Sequence, residues 1–335
     1  MNDVVVGMSW AHDSHAFRRV HAKVLGALVR RLGNLEVAED ALQDAMVSAL
    51  ERWRYSSMPD DPGAWLYRVA SRKALDKLAR ETTAERAIHT LVASTDSIVI
   101  SRLPDDEFSD DELSMLFLCA HPALSEDVQV TLMLRTVCSL SVAQISSALL
   151  VPEPTSSQRI VRARRTLAQL AEPFDGASIS NANARVTSVR HAIYVMFTEG
   201  YAASDGDALV RRELCHEAIR LGEALASSAV GGDPDTFALC ALLHFQWSRT
   251  AARERAGVAV PLFEQDRTLW NRESISRGFR WLERSMAGDC VGRYHLQAGI
   301  ASVHASAVNV SATDWNTIDR YYRQLRAMVT VRYCD

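Results

Sequence analysis

Lysine is all but missing from this 335-residue chain: Lys23, Lys73 and Lys77 are the whole supply, and basic character rests on arginine. With a formal net charge of -4, the protein cannot coat a polyanion by bulk charge, because non-specific phosphate binding draws on many cationic contacts. Any contact with nucleic acid must be local. Glycine and proline are scarce too, at 15 and 9 residues, and no run of alternating β-branched residues sits between turn pairs, which argues against a sheet-built fold. The six cysteines (Cys119, Cys138, Cys215, Cys240, Cys290, Cys334) contain no C-x-x-C pair and fall mostly in apolar helical contexts, the pattern of small hydrophobes in a reduced, cytoplasmic protein. No window approaches the roughly 18 uninterrupted apolar residues of a membrane span. The opening MNDVVVGM lacks the basic end and apolar core of a signal peptide, so no export and no membrane partner are expected.

Catalytic signatures are missing as well. There is no G-x-G-x-x-G, no phosphate loop and no H-E-x-x-H. Gly7-Met8-Ser9-Trp10-Ala11 resembles a nucleophile elbow only superficially, with no strand before it. The ten histidines are too dispersed to specify a metal site by spacing, although His244, His295 and His304 could converge in space. No catalytic residue, cofactor or metal is assigned.

What is present is helix. Hydrophobic residues make up 48% of the chain, alanine, leucine and arginine dominate, and the expected fold class is all-α in two or three domains. Helical periodicity runs from Ala16 to Arg80. An acid-rich, Ser/Pro-containing stretch from Ser94 to Asp111 reads as a flexible connector, and the helical pattern resumes at Leu113. Pro173 to Asn183 marks a second linker. The expected organisation is a first module over 13–90, a connector over 91–112, a second module over 113–172 and a helical block over 185–332.

Three helices carry candidate chemistry. In Leu35 to Trp53, the residues Leu42, Met46, Ala49, Leu50 and Trp53 fall at the spacing of one buried face, leaving Asp40, Gln43, Asp44 and Glu51 on the other. Such a face is either a solvated surface or a dock for a basic partner helix. After the turn Pro59-Asp60-Asp61-Pro62-Gly63, an apolar stripe of Leu66, Val69, Ala70, Ala74 and Leu78 leaves Trp65, Arg68, Arg72, Lys73, Lys77 and Arg80 to project elsewhere. Cations that track phosphates beside a ring that can stack on a base suit single-stranded or opening DNA; the plainer reading is a cationic helix with Trp65 in the core. Further on, Ser141 is a candidate cap for a short helix burying Val142, Ile145 and Leu149, and Leu150 to Pro154 forces a turn. Thr155 can then cap a second helix with Ile160, Val161 and Leu167 inside and Ser156, Gln158, Arg159, Arg162 and Arg165 outside, donors of the kind a recognition helix presents to a major groove.

In that order and wording the chain resembles the extracytoplasmic-function (group IV) sigma factors, specifically those bearing a long C-terminal extension. The resemblance is carried by AEDALQDAMVSALERW (38–53), PGAWLYRVASRKALDKL (62–78), LFLCAHPALS (116–125) and LSVAQISSALLVPEPTSSQRIVRARR (140–165). It continues through FTEGYAASDGD (197–207), LCHEAIRLGEAL (214–225), FEQDRTLWN (263–271), YHLQAGIASVHA (294–305) and TDW (313–315), and so covers nearly the whole chain.

The resemblance implies a sigma factor that directs core RNA polymerase to promoters. Region 2 would grip the β′ clamp helices through Asp40, Gln43, Asp44 and Glu51, and would open the minus-ten element with the helix of Trp65 to Arg80. Region 4 would read the minus-thirty-five element with Thr155, Ser156, Gln158, Arg159, Arg162 and Arg165 while holding the β flap. The C-terminal block would regulate activity, shortened here because the chain stops soon after Tyr321 to Leu325. Within that block Glu199, Tyr201, His244, Arg249, Gln265, Asp266, Arg267, His295 and His304 lie among apolar helices, as a structural hydrogen-bond network or as a pocket for a small ligand.

Some features suit a different use of the same frame. Residues 108–172 hold five arginines and no lysine against seven acids, a poor balance for holding duplex DNA. Gln144 stands where the family usually has glutamate, and Pro154 and Ser156 replace more usual small and apolar residues. The rival expectation is a sigma-like protein turned biosynthetic enzyme or small-molecule sensor, with its pocket between the C-terminal domain and the sigma modules.

Overall fold

A computed structural model describes residues 14–81, 107–169, 182–204, 210–255, 257–288 and 290–332. Thirteen α-helices span these residues, with a single two-stranded ribbon, as the composition leads one to expect. The leader motif around Ser9, the connector up to residue 106 and Cys334 lie outside the described residues. The chain divides into two compact units, one drawn from 1–145 with 151–181 and the other from 182–335 with 146–150.

The first unit begins with α1 (Ser14–Leu32), α2 (Leu35–Trp53) and α3 (Pro62–Glu81). Gly33, at φ 66, stops α1 in the left-handed conformation glycine adopts most cheaply, and the Asn34 side chain then caps α2 by accepting from Val37 N at 3.1 Å. Asp61 Oδ1 does the same for α3 through Ala64 N at 2.9 Å, with Pro62 at the first helical position, where no backbone donor is needed. The inner face of α2 is built largely from Ala38, Ala41, Leu42, Ala45, Ala49 and Trp53, and α3 returns Leu66, Ala70 and Ala74. Small side chains on both sides let the helices approach closely.

The next helix, α4 (Glu107–Cys119), starts six residues before Leu113. The acids at 107–112 that suggest a connector instead sit in its first turns, where the helix dipole favours negative charge. After α5 (Glu126–Thr136) comes the helix-turn-helix of α6 (Val142–Leu149) and α7 (Glu153–Ala168). Ser141 and Gln144 form a reciprocal capping box, Gln144 N donating to Ser141 Oγ at 3.1 Å and Ser141 N to Gln144 Oε1 at 3.0 Å, so glutamine does here what glutamate would. The turn passes through Leu150, at φ 54 and 91% exposed. Its exit is Pro152, and α7 begins at Glu153 rather than at a Thr155 cap, because Pro154 is tolerated within a first turn.

The second unit comprises α8 (Ala182–Tyr201), α9 (Arg212–Ser227), α10 (Pro234–Ser248), α11 (Arg272–Ser285), α12 (Arg293–Ser306) and α13 (Trp315–Arg332). Helix α10 is buried almost all round, from Thr236 and Ala238 to Phe245, as a helix with apolar residues on every face must be, and it packs against α8, α9, α11 and α12. Between α10 and α11 the chain makes short 3₁₀ turns and a ribbon pairing Glu254–Arg255 with Val258–Ala259. Cys119, Cys138, Cys215 and Cys240 are buried and Cys290 is exposed; burial pushes the Cys215 thiol up to about 12.

A tight seam lies where α11 crosses α10. A Cβ on Gly278 would meet Phe245 Cε1 at 2.7 Å, and Phe245 is itself fully buried and in edge contact with Phe279. Gly278→Ala should therefore cost about 2 kcal/mol of stability despite the gain in helix propensity. A denaturant unfolding midpoint equal to or above wild type would show that the seam is looser than described.

Candidate nucleic-acid and partner interfaces

On α2 the outward ridge consists of Asp40, Gln43, Asp44 and Glu51, all exposed, with Val47 at 55% and Leu50 at 60% between them. Leu50 thus departs from the expected core position. Ala45, Ala49 and Trp53 already fill the inner face, and Leu50 is one helical step round from them. Apolar side chains inside an acid-and-amide rim give this ridge the make-up of a docking face. Asp40 pairs with Lys77 of α3 at 2.8 Å, both side chains about half exposed, a contact worth little in water and easily exchanged for a partner's cation.

The basic face of α3 presents Arg68 and Arg72 to solvent, with Lys73 half-buried. Trp65 is also half-buried, its ring 5.2 Å from that of Trp53. The Arg80 side chain lies outside the described residues.

On α7, Gln158, Arg162 and Arg165 form one exposed stripe. Val161, expected inside, joins it at 47% exposure. Ser156, expected to face DNA, is fully buried, because 156, 160 and 163 share one face and Ile160 and Ala163 line the core beside it. Thr155 is half-buried, and Arg159 folds back onto Asp127 at 2.9 Å with 21% of its side chain exposed.

The sequence reading missed Arg164. Its Nη2 lies 2.7 Å from Glu39 Oε2 on α2, and Thr136 Oγ1 on α5 donates to Glu39 Oε1 at 3.3 Å. Glu39 is 7% exposed; burial pushes its carboxyl up and the Arg164 guanidinium opposes that shift. The signal was in the periodicity: Glu39 falls in the stripe of Leu35, Ala38, Leu42 and Ala49, and a carboxylate there demands a partner. This ion pair ties α7 to α2.

The nine polar residues of the C-terminal block do not act as one group. Glu199 accepts from Ser204 N and Oγ at 3.2 and 2.8 Å, His244 lies 2.9 Å from Glu223, and His295 sits between Asp235 at 3.3 Å and the Ser285 carbonyl at 3.2 Å. Gln265 donates to the Val260 carbonyl, and exposed Asp266 caps Thr268. Tyr201, Arg249, Arg267 and His304 do come together, joined by two residues the sequence did not single out, Arg253 and Trp270. Among the described residues no group of His, Cys, Asp and Glu could hold a metal ion, and no helix is long and apolar enough to cross a membrane.

Removing Arg164 would leave Glu39 buried without the cation that faces it. Arg164→Met should destabilise the first unit by about 3 kcal/mol, and adding Glu39→Gln should recover part of the loss. Equal stability of Arg164→Met and wild type in denaturant titration would mean that the pair contributes nothing.

Models of known families match three stretches: sigma-70 region 2 over residues 16–83, sigma-70 region 4 over 114–167, and a family of unknown function (DUF6596) over 185–286. An uncharacterized protein of Rhizobium meliloti is 38% identical over 312 residues, covering 91% of this chain and 73% of its own. The probable ECF RNA polymerase sigma factor SigI of Mycobacterium tuberculosis is 30% identical over 53% of this chain and 61% of its own, and SigW of Bacillus subtilis, an ECF RNA polymerase sigma factor, 26% over 43% and 81%. No solved structure gives a significant match. With both sigma modules in order and a helical block behind them, the chain belongs to the extracytoplasmic-function RNA polymerase sigma factors that carry a C-terminal extension.

Proposed function

We propose that this transcription-initiation factor docks on the β′ clamp helices of core RNA polymerase through the outer ridge of α2, with Asp40, Gln43, Asp44 and Glu51 around Val47 and Leu50. Promoter DNA is engaged at two places: the minus-ten element by Trp65, Arg68, Arg72 and Lys73 on α3, and the minus-thirty-five element by Gln158, Arg162 and Arg165 on α7, with region 4 also holding the β flap. The observation that carries this reading is that the charged outer faces of α2 and α7 stand open while the inward residues Glu39 and Arg164 hold each other. The weak charge balance of region 4 is offset because its exposed stripe carries arginine and the acid Asp127 is already occupied by Arg159.

The same contact gives the resting protein a geometric constraint. Promoter elements about 25 base pairs apart lie on the order of 80 Å apart along a duplex. A compact body the size of the first unit has a radius of gyration of about 16 Å. Both modules cannot reach their elements while Glu39 and Arg164 remain paired, so the pair parts as the factor loads, and its place is taken by water, polymerase or phosphate. The C-terminal unit regulates that loading, in a protein that works in the cytoplasm.

Gln43→Lys with Asp44→Lys should weaken co-elution with core polymerase at least about tenfold by putting like charge where complementary charge orients the encounter. Arg162→Ala with Arg165→Ala should leave core binding intact and abolish promoter-specific run-off transcription. A wild-type protein that neither binds core polymerase nor directs a transcript would end this reading.

A further inference from the structure

Three guanidiniums of the second unit share two aromatic rings. Arg253 stacks over Tyr201 with its Cζ 3.8 Å from the ring centroid. Arg249 lies 5.9 Å from both the Tyr201 and Trp270 centroids and donates to the Tyr201 hydroxyl at 2.8 Å, and Arg267 lies 5.1 Å from Trp270. Among the described residues none of the three has a carboxylate partner. Elsewhere in the same unit arginine is paired with acid, as Arg190 is with Asp233 at 2.6 Å and Arg277 with Glu273 at 3.0 Å.

Structural duty accounts for only part of this cluster. Arg267 braces the chain beyond α12, donating to the carbonyls of His304 and Ala307 at 2.9 and 2.7 Å and to Thr313 Oγ1 at 3.0 Å. Its Nε remains buried without an acceptor, as does Nε of Arg253, whose guanidinium makes no hydrogen bond within the described residues. Trp270 is 3% exposed and its indole N–H is also buried and unmatched. A buried donor without an acceptor is costly, and three neighbouring, half-buried cations that face no carboxylate among the described residues repel one another. The local field is of one sign: His304, 6% exposed, is held down at about 4 by burial and by the Arg249 and Arg267 charges.

We propose that the Arg249–Arg253–Arg267 cluster is a binding site for a small oxyanion, a carboxylate or a phosphate. The planar forks of Arg249 and Arg253 suit the oxygens of such a group, Trp270 Nε1 supplies a neutral donor, and the Tyr201 and Trp270 rings hold the guanidiniums in place. The assignment does not depend on the sigma-factor reading, because every residue it uses lies in the second unit.

The test uses the full chain with inorganic phosphate and with citrate as probes, and sodium chloride at matched ionic strength as control. At a hundredfold excess over the dissociation constant, one of the two should raise the thermal midpoint by about 5 °C or more, and chloride should not. Which of the two acts names the headgroup. The same anion should move the His304 imidazole resonance, assigned by its loss in His304→Gln. Arg253→Gln, which gives up no hydrogen bond, should keep the ligand-free midpoint while weakening the response at least about tenfold; if it fails to fold, Arg249→Lys, which keeps charge and loses the fork, serves instead. No response to either anion, or a response undiminished in the folded variant, overturns the proposal.

Discussion

A carboxyl group in a protein interior needs a counter-charge or a proton, and the first unit is organised around the first of these. Glu39 sits in the buried stripe of α2, where its neighbours are alanines and leucines, and the groups that satisfy it come from α5 and α7. Because Thr136 and Arg164 both belong to the second sigma module, satisfying one side chain brings two modules together. The facing sides of α2 and α7 are thereby used up, and their outer faces are left for partners. Asp40, the next residue after Glu39, lies on the outer face and pairs with Lys77, so the step from intramolecular tie to the proposed docking ridge is a single residue.

The second unit answers a related question in the opposite way. Its central helix, α10, is buried on nearly every side and ends in Ser248 and Arg249. Just there the packing changes from aliphatic to aromatic and cationic, with Tyr201, Trp270, Arg249, Arg253 and Arg267 in contact. Cation–π contacts hold the arginines in position but do not neutralise them, since a ring quadrupole offsets only part of a full charge. Where the first unit pairs its buried charge within the chain, the arginine–aromatic cluster of the second meets no carboxylate among the described residues.

Much of this was legible in the sequence, because helical periodicity reports burial directly. Leu42, Ala49, Trp53, Leu66, Ala70 and Ile145 are buried as their spacing requires. The failures share a cause: at the edge of a stripe, a 100° step does not decide which of two adjacent residues is inside. Leu50 lost its core place to Ala49 and Trp53, and Val161 lost its place to Ile160, Ala163 and Ser156. Polarity misled equally, since Ser156 reads as a DNA contact by chemistry and is core by position. Arg164 was invisible because its role depends on a residue 125 positions away. In the C-terminal block the sequence singled out four members of the arginine–aromatic cluster but grouped them with His244 and His295, whose partners are Glu223, Asp235 and Ser285; composition cannot tell which of several polar residues on different helices will meet.

The claim most central to this account is that Glu39 and Arg164 hold the two sigma modules as one body in the free protein. Nitroxide labels at the exposed positions Gln43 and Gln158, read by pulsed electron–electron double resonance, test it directly. The account predicts one narrow distance distribution in the otherwise wild-type chain and a broad one after Arg164→Met. A broad distribution in the wild type, or a narrow one that Arg164→Met leaves unchanged, would contradict it.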